Sequence, residues 1–410
     1  MALEIRESFM PSEASERARL TSYRECIVAP CGVHQRISRY GRRIREGEPL
    51  KPARCSTAFA IAMLLAACET AAPASPAGPG SPTAVVKVAF VRDLSIPDAD
   101  EHSLPASQAI RLAFEAATLQ DPSSVPVELE EFDLAQDAAD LESIAADPSY
   151  VGVIVAPGVN GDDAELGTDL PVLSLSGLGA GDGRRGWARL VAPLGTTADT
   201  LAGRLRRSSA CVLAEDPPPD PLYGLLSEAL PGATARTVDP SAAAAVAGEA
   251  GCDVVIWAGG PNAGAEAVRA LQRLDVTFIG GDRLLDPDFL SSAGSAAEGA
   301  VALCSCANAS TSTELAARRF IQDYQSEHGV APGAFAVEGW DAAHLILRAA
   351  GDRGITRALV ARSLEQLTTA DGLEGTRRFA ADGEPLEPRA LLRLYRVEGG
   401  RWVRAGWDEI

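Results

Sequence analysis

Lysine is almost missing from this chain. Of 37 basic residues only Lys51 and Lys87 are lysines, and the other 35 are arginines. Such a bias, with abundant alanine, looks like codon usage in a GC-rich genome and is not read as function. Histidine is nearly as scarce, at four in 410 residues. There is no nucleophile elbow and no zinc-type His/Cys spacing, so no enzyme, no cofactor and no metal is expected. Positive charge also runs out along the chain. Residues 1–68 carry 11 basic and 7 acidic side chains, which leaves 26 basic and 49 acidic beyond them, a net of −23. A surface that acidic repels phosphate backbones and excludes nucleic acid as a partner. Nor does any apolar run reach the roughly 20 residues that a membrane-spanning helix needs.

What is present starts with Ser56–Cys68, an uncharged apolar run with Lys51 and Arg54 before it and small residues at its end. Basic flank, short apolar core and small-residue exit describe an export signal. Its close, Leu65-Ala66-Ala67-Cys68, resembles the bacterial lipobox. That resemblance implies lipidation of Cys68, which becomes the first residue of the mature protein and anchors it to the outer face of the cell membrane. Residues 1–49 show no sustained apolar period and are expected to be an N-terminal extension, one that is not translated if synthesis starts near Leu50. Residues 50–68 are then the signal, and the Ala/Pro/Gly/Ser-rich residues 69–83 a linker.

Of eight cysteines, Cys26, Cys31 and Cys55 precede the lipobox. Cys211, Cys252, Cys304 and Cys306 remain for an exported chain, and four cysteines allow three pairings. Cys211 and Cys252 each precede or open a strand-like run and are candidate partners, but spacing leaves the pairing open.

After the linker, continuous apolar runs alternate with amphipathic segments. Strands are expected at 85–91, 127–132, 151–156, 171–175, 188–191, 210–214, 253–257, 277–279 and 391–397. Helices are expected at 107–119, 138–146, 197–207, 222–230 and 263–274. Strands apolar on both faces and separated by helices indicate parallel sheets covered on both sides, an α/β doubly wound architecture. The length requires two such lobes. Gly181-Asp182-Gly183-Arg184-Arg185-Gly186 fits a dinucleotide-binding spacing, but a strand-like run follows where a helix N-terminus is needed. The acidic loop Asp98–His102 could hold a cation, although isolated loops of this kind are usually solvated.

The last third carries the most specific pattern. Phe335-Ala336-Val337-Glu338-Gly339-Trp340-Asp341-Ala342-Ala343 opens an apolar helix. Gly372-Leu373-Glu374-Gly375, Phe379 with Asp382-Gly383, and Leu394-Tyr395-Arg396-Val397 follow in order. With Val86–Phe90, Tyr223-Gly224 and Glu298-Gly299, these resemble the leucine/isoleucine/valine-binding family of extracytoplasmic solute-binding proteins. The resemblance implies a type 1 periplasmic-binding fold, with two lobes joined by a three-crossover hinge and a ligand enclosed between them. Residues 84–194 with 307–382 would form lobe 1, and 195–306 with 383–410 lobe 2.

On that resemblance the ligand contacts would be Ser174, Ser176, Tyr223, Trp257, Asp282 and Trp340, with Asp282 at the position of the acid that pairs a ligand ammonium. Trp340 could equally pack the helix start, Asp282 cap a turn, and the two serines be ordinary turn residues. The loop Pro157–Gly161 lacks the family's serines, and Leu178 stands where threonine is usual. The carboxylate cradle is thus incomplete, which argues against a plain α-amino acid. The function implied is capture of a small polar, amino-acid-like ligand or related metabolite by a monomer, for delivery to an ABC permease. The alternative is a sensing or interaction lipoprotein of the same fold.

Overall fold

Apolar runs become strands buried on both faces. The computed structural model of the protein describes residues 85–409, except 97, 121–125, 161–169, 180, 182–183, 219, 309–311, 313 and 351–353. The extension, the export signal with Cys68 and the linker lie outside the described residues. Strands β1 (Val86–Arg92), β2 (Val127–Asp133), β3 (Tyr150–Val155), β4 (Val172–Ser174) and β5 (Trp187–Arg189) form a first sheet. Its order is β2-β1-β3-β4-β5 and every pairing is parallel. A second sheet is built from β6 (Ala210–Ala214), β7 (Thr234–Thr237), β8 (Val254–Trp257), β9 (Thr277–Gly280) and β10 (Val301–Cys304). A small antiparallel hairpin, β11 (Thr369–Gly372) and β12 (Gly375–Arg378), stands apart. Two C-terminal strands, β13 (Arg393–Glu398) and β14 (Arg401–Ala405), join the second sheet, whose order is β14-β13-β10-β9-β8-β6-β7. These two pair antiparallel, and the rest of that sheet is parallel. Gly399 and Gly400 turn between them at φ 56° and 73°, the left-handed conformation that a tight hairpin turn requires.

Helices α1 (Ala99–Gln120) and α2 (Leu134–Ala146) follow strands of the first sheet. The second sheet has α3 (Leu194–Leu205) and α4 (Leu222–Ala229) on one face, with Leu201, Leu226 and Ile256 in one core. On its other face lie α5 (Ala243–Ala250), α6 (Pro261–Leu271) and α7 (Pro287–Ala293), around Val255, Val268 and Phe289. Then α8 (Leu315–His328), α9 (Ala336–Arg348) and α10 (Arg357–Glu365) return to the first sheet. Ile110, Ile144, Ile346 and Val360 from α1, α2, α9 and α10 share its core with β1 and β3. This is the α/β, doubly wound, two-sheet architecture that the apolar pattern implies.

One boundary moved substantially. The apolar spacing suggests a helix starting at Ser107, yet α1 begins at Ala99 and runs through Pro105. Ser103, Ala106 and Ser107 are all buried there, and that packing outweighs the loss of one helical hydrogen bond. The cysteines pair as Cys211–Cys252, joining neighbouring parts of the second sheet, and as Cys304–Cys306, around Ser305.

The chain passes between the sheets three times: after β5, after β10 and between β12 and β13. The second passage is pinned from both sides. The Tyr395 hydroxyl donates to the Cys306 carbonyl at 3.1 Å and accepts from the Asn308 amide at 2.9 Å. The Ala307 amide donates to Glu338 at 3.1 Å. Glu338 in turn shares Arg377 with Asp341, all three buried, so the guanidinium ties β12 to α9. Burial, ahead of any neighbouring charge, pushes the Glu338 carboxyl up to about 7.

Removing one member of a buried ionic cluster leaves the others uncompensated. Arg377→Ala is expected to destabilise the fold by about 3–5 kcal/mol in denaturant unfolding, and Glu338→Gln by much less. An Arg377→Ala loss below ~1 kcal/mol would show that the cluster is not what holds the hairpin to α9.

Candidate functional site

In open α/β sheets the space beyond the carboxyl ends of the strands is where ligands fit. Both sheets turn those ends toward one cavity of about 300 Å3. From the first sheet come Asp93 after β1, Pro157 to Asn160 after β3, and Ser176 to Leu178 after β4. From the second come Asp220 after β6 and Asp282 with Arg283 after β9. Asp98, just before α1, and His102, in its first turn, complete this side.

Two contacts cross from one sheet's side to the other. Arg283 Nη2 lies 3.3 Å from Asp98 Oδ2. His102 Nε2 lies 4.0 Å from Asp282 Oδ1. The second is not an ion pair at neutral pH, because burial and then the Arg283 charge hold the His102 imidazole down to about 4. Phe335, at φ 63° before α9, sets its ring edge-on to His102 at 5.2 Å. Burial raises the Asp282 carboxyl to about 6; burial and then the Asp282 charge raise Asp220 to about 6 as well.

The loop after β4 is held from behind by one side chain. Arg189, 1% exposed on β5, donates to the carbonyls of Ser176 at 2.8 Å, Leu178 at 3.1 Å and Gly179. Its Nε donates to both carboxylate oxygens of Glu384, at 3.1 and 2.9 Å, on the third passage between the sheets. Next to Glu384, Gly383 carries no side chain because a Cβ there would come 2.0 Å from the Trp187 carbonyl. The loop also satisfies itself: Ser174 Oγ accepts from the Ser176 amide, and Ser176 Oγ from the Leu178 amide.

Of the six contacts inferred from sequence, Ser176 and Asp282 line the cavity. The other four do not, each for a packing reason. Ser174 is fully buried and spends its hydroxyl within the turn. Trp257 is still inside β8, fully buried in the core with Leu284 and Phe289. Tyr223 lies against the aliphatic core of Leu222 and Leu226. Trp340 packs on Phe320 at 5.0 Å and His344 at 4.6 Å. Asp98, His102, Asp220 and Arg283 were not singled out as ligand contacts. The signal that could have found them is position after a strand or at the start of the helix that follows one. A strand, not a helix, follows Gly186, so the dinucleotide-like glycines are not used that way. No group of His, Cys, Asp and Glu able to hold a metal ion occurs among the described residues.

Two mainly parallel sheets facing one cavity, with three passages between them, define the type 1 periplasmic-binding fold. Residues 229–401 match the family model described as periplasmic binding protein. Among solved structures, a possible leucine/isoleucine/valine-binding protein from Rhodopirellula baltica is 17% identical with a TM-score of 0.65, over 80% of this chain and 99% of that one. A leucine binding protein from Thermotoga maritima is 16% identical with a TM-score of 0.60, over 79% and 100%. A solute binding protein from Rhodopseudomonas palustris in complex with benzoate is 14% identical with a TM-score of 0.59, over 78% and 96%. No curated protein sequence matches the chain. The family model over residues 229–401 is thus of the periplasmic-binding kind, and the chain resembles these leucine/isoleucine/valine-binding structures in fold.

Two outcomes test this geometry. Asp220 ionises near 3.8 when unfolded and near 6 when folded, so the folded chain binds more protons between those values and stability falls as pH rises through them. Asp220→Asn should therefore raise Tm by about 2–6 °C at pH 7.5 and leave it nearly unchanged at pH 4. Glu384→Gln should speed amide hydrogen exchange of residues 176–179 by roughly tenfold or more, measured by mass spectrometry, because the clamp on Arg189 loses its charge.

Proposed function

We propose that this chain is a lipid-anchored extracytoplasmic solute-binding protein that captures a small polar ligand, amino-acid-like or a related metabolite, for an ABC importer. The observation that carries the reading is the cavity itself: the strand ends of both sheets converge on it, and the Asp98–Arg283 pair spans it. Ligand contacts from both sides then stabilise the closed state over the open one, which is how a hinged receptor reports occupancy. Residues 84–194 with 307–382 serve as one lobe and 195–306 with 383–410 as the other, on a monomer. The lipid on Cys68 keeps the protein at the membrane, next to its permease. No helix among the described residues is long and apolar enough to cross a membrane.

Relatives of this fold do not share one ligand. One neighbour is named for leucine and another was solved with benzoate. A second reading, a sensing or interaction lipoprotein without transport, is favoured by one observation: the Leu178 amide, at the position of the carboxylate cradle, is already taken by Ser176 Oγ at 3.1 Å.

Thermal shift and small-angle scattering with a metabolite panel test the main reading. At least one small molecule should raise Tm by about 3 °C or more and shrink the radius of gyration. Stabilisation without compaction favours the sensing reading. No stabilisation by any compound overturns ligand capture altogether.

A further inference from the structure

The charge around the cavity does not balance. Asp93, Asp98, Asp220 and Asp282 line it, and Arg283 is the one cation among the described lining residues that is charged at neutral pH. Arg283 is engaged with Asp98 at 3.3 Å, and Asp93 is turned to the Ser95 amide and hydroxyl. That leaves Asp220 and Asp282. Asp220 is more than nine-tenths buried, faces the cavity, and has one hydrogen bond, accepted by Oδ1 from the Leu222 amide at 2.8 Å. That bond uses Oδ1 alone, and the carboxylate lines the cavity, where an entering cationic N–H group can donate to Oδ2.

The loop after β4 offers an anion few donors: the Leu178 amide is already spent on Ser176 Oγ and the Ser176 amide on Ser174 Oγ, which leaves the Ser176 O–H. Arg189 spends its guanidinium on carbonyls behind the loop and on Glu384, so its charge does not reach the cavity.

We propose that the cleft selects an organic cation without a carboxylate, an aliphatic amine or guanidine, whose N–H groups lie between Asp220 and Asp282. This rests on the reading of the chain as a solute-binding protein and names the class of its ligand. The ligand's N–H groups donate to Asp220 Oδ2, and its alkyl part lies along Ile96, Leu178 and Leu194. The groups facing the pair are His102 and Asp98 from α1 and Arg283 beside Asp282. Both carboxyls sit near 6 before the ligand arrives, whereas His102 stays neutral down to about 4. Binding therefore needs the deprotonated pair and weakens as the solution is acidified through pH 6.

Isothermal titration of the full chain with butylamine, 1,4-diaminobutane and agmatine, set against L-leucine and isovalerate, tests this. At pH 7.5 at least one of the three cations should bind, at least tenfold more tightly than leucine or isovalerate. Its affinity should drop at least tenfold at pH 5.0. Asp220→Asn and Asp282→Asn should each weaken it at least tenfold, with Asp220→Asn no less heat-stable than the parent. Leucine or isovalerate binding as well as or better than every cation overturns the cationic site while leaving solute capture standing. Cation binding that neither asparagine variant nor acid weakens also overturns it. If none of the five compounds binds and a broad panel gives no thermal shift, the solute-binding reading falls together with this one.

Discussion

A single buried guanidinium holds the working parts of this protein in relation to one another. Arg189 stands at the end of the last strand of the first sheet, grips the carbonyls of the loop that lines the cavity, and is itself held by Glu384 on the third passage between the sheets. Desolvating a charge of this kind costs several kcal/mol, and only a full set of charge-assisted hydrogen bonds offsets it. Arg189 has that set. The loop geometry therefore cannot change without moving the passage, and the passage cannot move without loosening the loop. Strand end, cavity wall and third passage are tied through one side chain.

The second passage is built on the same logic with different groups. Glu338, Asp341 and Arg377 form a buried cluster that reaches the Ala307 amide, and Tyr395 reaches across from the second sheet to the residues on either side of Ala307. The Cys304–Cys306 bond lies at the start of this segment. The second passage is thereby tied to both sheets, while the cavity carries ionisable groups whose charge is not cancelled. In the receptor proposed above, firm passages keep the open and closed arrangements discrete, and an unbalanced cavity makes the closed one depend on what is inside.

Much of the fold was legible in the sequence because strands buried on both faces leave no alternation to misread. β3 and β8 appear in the chain as Tyr-Val-Gly-Val-Ile-Val and Val-Val-Ile-Trp. Of the cavity lining, Ser176 and Asp282 were legible, each two residues beyond the end of a strand. Trp257 shows the limit of that rule: one position inside the strand instead of beyond it places the indole in the core. Tyr223 and Trp340 sit on helices, where a single sequence does not say which face meets the cleft. His102 was hidden because the apolar spacing begins only near Ser107, whereas α1 starts at Ala99 and its first turn presents the imidazole. Asp220 was hidden in a run of prolines with no periodicity to orient it.

The scarcity of lysine gains a practical meaning once the strands are placed. Lys87 lies near the beginning of β1, paired with Glu130 at 3.0 Å, and it is the one lysine among the described residues. Parallel strands put their beginnings and their ends on opposite edges of a sheet, and the cavity is at the ends. A surface or probe coupled through the Lys87 amine would therefore hold the domain by the edge away from its opening. Molecules attached there would share one orientation, with the cleft facing the solution.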